Sequence, residues 1–258
     1  MLTQMRELRG SAGSFTVRLN FHGALDFFLG SKSSSRIVNR SLREKTSVKD
    51  IIESCGVPHP EVDLILLDGQ PVDFAYVVER DLEADVYPVR YTPTFFPKNR
   101  LQTSRVERFT ADCHLGKMVH NLRLVGIDVT YDPAADDQQL LRTATTENRA
   151  LLTRDRRLLM HAIVRDGYYL RSQDPLNQTI EVLRRFDLLT TLAPFTRCSR
   201  CNAHLELVEK EQILHRLEPL TKIYYQKFRR CTGCGQIYWP GSHFEKLEAR
   251  IAQLRERL

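Results

Sequence analysis

No stretch of this chain is apolar for long enough to span a bilayer. Its first residues, MLTQMRELRGSAGS, lack the apolar core of a signal peptide. A cytoplasmic protein without a membrane partner is therefore expected. There is no Walker loop, no dinucleotide-binding glycine pattern and no serine nucleophile elbow. Those absences leave P-loop, dinucleotide and serine-hydrolase chemistry without sequence support. Cysteine is scarce as well, at six in 258 residues. Cys55 and Cys113 stand alone and the other four fall in paired spacing, so metal binding in a reducing compartment fits better than an oxidised scaffold.

What is present begins with those four. Cys198-x-x-Cys201 and Cys231-x-x-Cys234 each present two thiolates from one tight turn, and two such turns can surround a tetrahedral Zn2+. A closed four-thiolate site leaves no open position for chemistry, so any catalysis must lie elsewhere. Leu205–Val208 and Lys222–Tyr225 read as strands between the pairs, and two cysteine turns on a small antiparallel sheet describe a zinc ribbon. Farther on, Ser242-x-x-Glu245 reads as a capping box. The helix it opens carries Leu247, Ile251, Leu254 and Leu258 on one face, expected to dock on this protein itself.

The chain is 42% hydrophobic, enough for two or three small cores. Its net charge of +6 is uneven. Residues 1–98 hold 12 Lys and Arg against 13 Asp and Glu, whereas residues 99–258 hold 26 against 19. A basic C-terminal half suits a polyanion, most simply nucleic acid, or a merely soluble basic surface.

Residues 13–92 alternate in a β manner. Phe15–Leu19 reads as a strand, Ser47 as the cap of a helix through Val48, Ile51 and Ile52 that ends at Gly56, and Val62–Leu67 as a second strand. Asp68-Gly69 is a hairpin signal, and Asp85–Val89 reads as a last strand. This order, and the stretch Leu67–Phe74, resemble a β-grasp domain of the ubiquitin and sulfur-carrier type. Sulfur carriers end in a free Gly-Gly. Here the chain runs on through Tyr91–Pro97, an extended linker, so carrier chemistry is ruled out and docking or packing remains.

Residues 105–192 switch to alternating β and α, which argues for a parallel sheet with helices on its faces. Strands are expected at Arg108–Asp112, Gly126–Thr130 and Arg149–Asp155. Helices are expected through Leu115–Leu122, through Leu140, Leu141 and Ala144, through Leu158, Leu159, Ala162 and Ile163, and from Asp174-Pro175 onward. In such sheets functional groups gather at the carboxyl ends of strands. Asp112 and Asp155 stand there, with Asp136-Asp137 at a helix start. Converging carboxylates call for a hard divalent cation, Mg2+ or Mn2+, which can activate water and stabilise charge on a phosphodiester. Arg154 can neutralise a phosphate oxygen. The plainer roles are helix caps for these aspartates, a structural acid for Asp128, and surface or core-edge places for His114 and His120. Glu147 is a weaker metal candidate.

Thr110–Met118 (TADCHLGKM), Leu122–Val129 (LRLVGIDV) and Glu147–Asp155 (ENRALLTRD) resemble the PIN-like RNase module, and in particular the Mut-seven C-terminal RNase family. Phe195–Asn202 and Cys231–His243 agree. Family members often carry a ubiquitin-like domain ahead of the RNase, as here. The resemblance implies a ubiquitin-like β-grasp domain with linker over 1–98, a PIN-like RNase domain over 99–192, and a four-cysteine zinc ribbon with a C-terminal helix over 193–258. It implies an α/β fold and a metal-dependent RNase, with Asp112 and Asp155 holding Mg2+ or Mn2+. Asp137 is then the third acid, with Asp136 as its alternative, and a fourth acid is not evident. Around the ribbon, Arg197, Arg200, Lys227, Arg229 and Arg230 are expected to grip RNA backbone, and Tyr224, Tyr225 and Trp239 to stack on bases or to form the ribbon core. The alternative function is a non-catalytic binder of structured RNA such as tRNA or rRNA. A protein partner through the β-grasp domain is a third possibility.

Overall fold

The computed structural model describes residues 14–30, 36–89, 96–241 and 244–257. The chain divides into two compact units, Met1–Gln102 and Thr103–Leu258. Among the described residues no helix is long and apolar enough to cross a membrane.

The first unit contains β1 (Phe15–Phe21), β2 (Ile37–Leu42), β3 (Thr46–Ser47), α1 (Val48–Ser54), β4 (Val62–Leu67), β5 (Gln70–Val72), β6 (Val77–Val78) and β7 (Leu82–Pro88). Period-two alternation in β1 puts Val17, Leu19 and Phe21 on one fully buried face. β1 pairs antiparallel with β2 and parallel with β7. β7 pairs antiparallel with β4, which forms a hairpin with β5. The order β2-β1-β7-β4-β5 is a β-grasp-like mixed sheet. Asp68 and Gly69 turn the hairpin with φ of 47° and 80°, the paired positive values of a type I′ turn. Ser47 caps α1, its hydroxyl accepting from the Asp50 amide at 3.1 Å. Most of the expected linker lies outside the described residues. After it, the chain folds back on this unit: Arg100 donates to Asp63 Oδ2 at 2.8 Å and the Gln102 amide to Asp63 Oδ1 at 3.1 Å.

The second unit opens with β8 (Arg108–Ala111), α2 (Gly116–Leu124), β9 (Asp128–Tyr131), α3 (Asp137–Thr146), β10 (Ala150–Thr153), α4 (Arg156–Leu159), β11 (Gly167–Tyr169) and α5 (Pro175–Arg185). The sheet is wholly parallel, in the order β11-β10-β8-β9. The chain steps from β8 to β9 on one side, then crosses back to β10 on the other, so its winding reverses between β8 and β10. Right-handed crossovers of opposite sense put helices on both faces. On one face Phe109, Val129 and Leu152 meet Met118 and Leu122 of α2 and Leu183 of α5. On the other, Leu151 meets Leu140 of α3 and Leu158 and Leu159 of α4.

Two elements differ from expectation. The helix expected to run through Ile163 stops at Leu159, leaving Ala162 exposed and Ile163 47% exposed. The chain turns there so that β11, too short to announce itself, can pair with β10. Gly167 permits this, because a Cβ would sit 2.5 Å from Leu159 Cδ1.

The ribbon comprises β12 (Leu205–Val208), α6 (Lys210–Ile213), α7 (Pro219–Tyr224), β13 (Phe228–Cys231) and β14 (Ile237–Tyr238), with antiparallel order β12-β13-β14. The strand expected at Lys222–Tyr225 is therefore α7 and its following residue. Pro219 at the first turn starts the helix, and the ribbon strand falls later, at Phe228. Val208, Ile213, Leu217, Phe228 and Ile237 form the ribbon's own small core.

α8 (Phe244–Glu256) follows the ribbon yet packs on the parallel-sheet core through Ile251 and Leu254, 6% and 1% exposed, with Leu247 partly buried beside them. Ser242 and Leu258 lie outside the described residues. Leu254→Ala is expected to cost about 2–5 kcal/mol in urea unfolding. An unchanged midpoint would mean that the stripe is not docked here.

Candidate functional site

The carboxyl ends of β8 and β10 meet where the winding reverses, the position at which open α/β sheets bind ligands. The Asp112 amide donates to Leu152 O at 3.0 Å, which extends the ladder by one residue. Its carboxylate then turns inward. Oδ1 accepts from the His114 amide at 3.3 Å, capping the short 3-10 turn Cys113–Leu115. Oδ2 accepts from the Thr153 hydroxyl at 2.8 Å. Thr153 is fully buried at the end of β10, and its Oγ1 accepts in turn from the Asp155 amide at 2.9 Å. One hydroxyl thus links the Asp112 carboxylate to the backbone amide of Asp155, from adjacent central strands. Sequence reasoning passed over Thr153; the available signal was a threonine two residues before an aspartate at a strand end.

Asp155 is exposed and caps α4, Oδ1 accepting from the Arg157 and Leu158 amides at 2.7 and 3.2 Å. Asp136 caps α3 through a capping box with Gln139. That leaves Asp137, on the first turn, as the acid of the pair that faces outward without a hydrogen bond among the described residues. Its charge reaches the same place: the Asp112 hydrogen bond and burial push the Cys113 thiol up, and the charges of Asp112 and Asp137 add to the effect. Tyr131 donates to Cys113 O at 2.7 Å and holds this turn from β9. Arg154 is exposed between Thr153 and Asp155.

Ligand atoms of Asp112, Cys113 and His114 lie within 4.8 Å of one another. Among the described residues, Asp112, Asp137 and Asp155 do not form such a group. The oxygen donors suit Mg2+ or Mn2+, whereas the soft thiol and the borderline imidazole beside Asp112 are donors that Mg2+ does not favour.

The second site is the ribbon's. All four cysteine sulfurs lie within 4.8 Å of one another, with Cys198–Cys234 at 3.7 Å and Cys201–Cys231 at 3.3 Å. Tetrahedral zinc with Zn–S of about 2.3 Å needs sulfurs about 3.8 Å apart, so the set fits a structural metal. Burial alone would raise Cys201, but the Ala203 N–H and the neighbouring sulfurs outweigh it and bring it down to about 6. Burial pushes Cys231 up to about 12. The Tyr238 hydroxyl lies 3.0 Å from Cys198 Sγ and donates when that sulfur is a thiolate. Gly233 is required in the second knuckle, since a Cβ would come within 2.9 Å of Ala203 Cβ.

A buried polar seam fastens the ribbon to the parallel-sheet domain. Arg123, 4% exposed, donates through Nη1 to the carbonyls of Ser199 and Arg200 at 3.1 and 3.0 Å, and through Nε and Nη2 to Val129 O. Asp128 Oδ1 accepts from Arg149 Nη1 at 2.6 Å and from Asn202 Nδ2 at 2.8 Å, while Oδ2 lies 3.3 Å from Arg197 Nη2. Asp128 is a structural acid here. Glu147 pairs with Arg149 at 2.6 Å, a structural place as well. Arg197 also donates to Gly126 O and Asn202 O. Its guanidinium is turned into the protein, unlike the solvent-facing backbone grip expected of it.

Burial works to raise Asp128, but the hydrogen bonds from Arg149 and Asn202 prevail and hold it below the usual carboxylate range. A depressed folded pKa adds stability above the unfolded value, about 3.9, and that stability fades as pH falls through the folded value. Asp128→Asn removes the charge that faces Arg149 and Arg197, leaving Arg149 paired with Glu147 alone, and is expected to cost about 1–3 kcal/mol at pH 7. Its deficit should shrink below pH 4 in urea titrations.

The other expected RNA-contacting cations divide by exposure. Arg200 and Lys227 are exposed. Arg229 is half-buried and donates to Phe195 O at 3.3 Å. Arg230 pairs with Glu206 at 3.1 Å on the surface.

Fold and sites together define an α/β parallel-sheet protein with carboxylates at its switch point, a four-cysteine ribbon fastened to it, and a β-grasp-like sheet ahead. Residues 107–251 match the family of the Mut7-C RNAse domain, and residues 14–93 match that of the Mut7-C ubiquitin domain. The first match spans more than half of the chain, and the protein belongs to the Mut7-C RNAse domain family. Neither a curated protein nor a solved structure matches it.

Proposed function

We propose that this protein is a metal-dependent ribonuclease acting at the carboxyl ends of β8 and β10. The observation that carries this reading is the Thr153 hydroxyl, which ties the Asp112 carboxylate to the Asp155 amide at the switch point. Asp112 and Asp155 hold Mg2+ or Mn2+, with Asp137 as the third acid. When bound, the cation supplies Lewis-acid activation of water and neutralises charge on the phosphodiester. Thr153 fixes the Asp112 carboxylate. Arg154 meets a phosphate oxygen of the strand being cut. Arg200, Lys227, Arg229 and Arg230 hold backbone phosphates farther along, while Arg197 remains with Asp128. Zinc in the ribbon is structural, and the β-grasp unit is a docking surface for a protein partner.

A second reading has two observations in its favour. The three acids share no common ligand group and Asp155 already serves as a helix cap, which suits a non-catalytic binder of structured RNA such as tRNA. The two separate when zinc-loaded protein is incubated with single-stranded RNA, a hairpin and tRNA, with and without added Mg2+ or Mn2+. Metal-dependent fragments bearing 5′-phosphates support the ribonuclease. Tight tRNA binding without fragments supports the binder.

A further inference from the structure

Between β12–β14, α7 and the start of α8 lies a groove of about 1010 Å³. Its lining is unusual in two respects. Rings of Tyr224, Tyr225, Trp239 and Phe244 face it, and its charges come from cationic side chains such as Lys227 and Arg229, with no Asp or Glu among the described residues that line it. Much of the apolar surface is open to water: Leu207 is 74% exposed, Leu220 67%, Tyr224 72% and Trp239 38%. α7 causes this. Pro219 starts it, Thr221 is its buried residue, and the helical period swings Tyr224 outward. Large side chains grouped in the open mark an interaction site.

We infer that this groove binds an unpaired stretch of RNA. Bases stack on Tyr224 and Trp239, and phosphates pair with Lys227 and Arg229. Single-stranded nucleic acid binders combine these two features, a cationic track and aromatic platforms. A duplex keeps its base faces stacked inside and offers them to no ring. A purely apolar partner would not explain the single sign of charge, and an acidic peptide would not explain the exposed ring faces. His120 also lines the groove; burial, with Arg250 and Arg123 nearby, holds its imidazole below the usual value. The inference shares with the ribonuclease reading only that RNA is the ligand, and it narrows that ligand to single strands.

Trp239 is the chain's one tryptophan, so its fluorescence reports on this groove directly. The full-length, zinc-loaded Asp112→Asn, Asp155→Asn variant, used to prevent cleavage, is titrated with a 12-nucleotide oligoadenylate, a duplex of equal length and a glutamate peptide of equal charge. Saturable quenching by the single strand is expected, with at least about tenfold weaker binding of the duplex and the peptide. Tyr224→Ala should weaken single-strand binding about tenfold, and Tyr224→Phe should restore it. Lys227→Gln should lower the salt dependence of binding. Equal binding of duplex or peptide, or an undiminished affinity in Tyr224→Ala, overturns the inference. Tyr224 is exposed enough that its loss leaves the fold intact, which the zinc content verifies. Cleavage by wild type with no role for Tyr224 sinks the groove alone, and strand-specific quenching in a wild type that never cleaves sinks the ribonuclease alone.

Discussion

Replacing Cys231 with serine is expected to release zinc and unfold the ribbon. Cys231 is buried at the end of β13, 3.3 Å from Cys201 Sγ, and accepts from the Gly233 and Cys234 amides at 3.4 Å. Those amides, and a metal when bound, stabilise a thiolate that burial alone would keep protonated. The ribbon's own core is a handful of side chains, too few to hold three short strands. In such modules zinc binding supplies the folding free energy, on the order of 10 kcal/mol. The damage does not stop there. Arg123 loses the Ser199 and Arg200 carbonyls and becomes a buried, under-satisfied cation. α8, which follows the ribbon in sequence, brings Ile251 and Leu254 into the neighbouring core from an anchor that no longer exists. Metal analysis should find no zinc, and the melting temperature should fall by ~10 °C or more. Retained zinc with an unchanged melt would remove the ribbon from the protein's structural frame.

Asp112→Asn has the other large effect, on metal and chemistry rather than on the fold. Asparagine keeps an acceptor for the Thr153 hydroxyl but removes the charge that draws a divalent cation. Mn2+ affinity, read by electron paramagnetic resonance on zinc-loaded protein, should drop about a hundredfold, and the cleavage rate with it. Thermal stability should change little. Thr153→Val provides the finer test. It removes the donor to Asp112 and leaves the Asp155 amide without its acceptor, and should weaken Mn2+ binding about tenfold or more. Asp128→Asn should do the reverse, lowering stability while sparing the metal. If Asp112→Asn binds Mn2+ as wild type does, the carboxylate end is not the metal site.

Features set by short-range chemistry could be read directly. Asp68-Gly69 meets the backbone demands of a tight hairpin turn in any context. The cysteine knuckles needed only their spacing, and the strands ending at Asp112 and Asp155 needed only their apolar runs and the breaks after them. Features decided by distant partners could not. β11 is three residues long and exists because β10 offers a free edge. Ile223-Tyr224-Tyr225 looks like strand by composition, but Pro219 and the burial of Thr221 make Ile223 and Tyr224 helical. Arg197 stands beside a basic knuckle, and nothing local shows that Asp128, far back in the chain, draws it in. Arg123 is silent in sequence because a buried arginine looks like any other until its partners are known, and Thr153 offers only its spacing from Asp155.

The most direct measurement is RNA cleavage by wild type and the Asp112→Asn, Asp155→Asn double variant side by side, at equal zinc content, with Mn2+ added or omitted. Mn2+-dependent cutting by wild type, lost in the double variant while single-strand binding persists, is the expected result. Equal cleavage by the two proteins, or cleavage indifferent to Mn2+, would contradict a metal-dependent ribonuclease at the ends of β8 and β10.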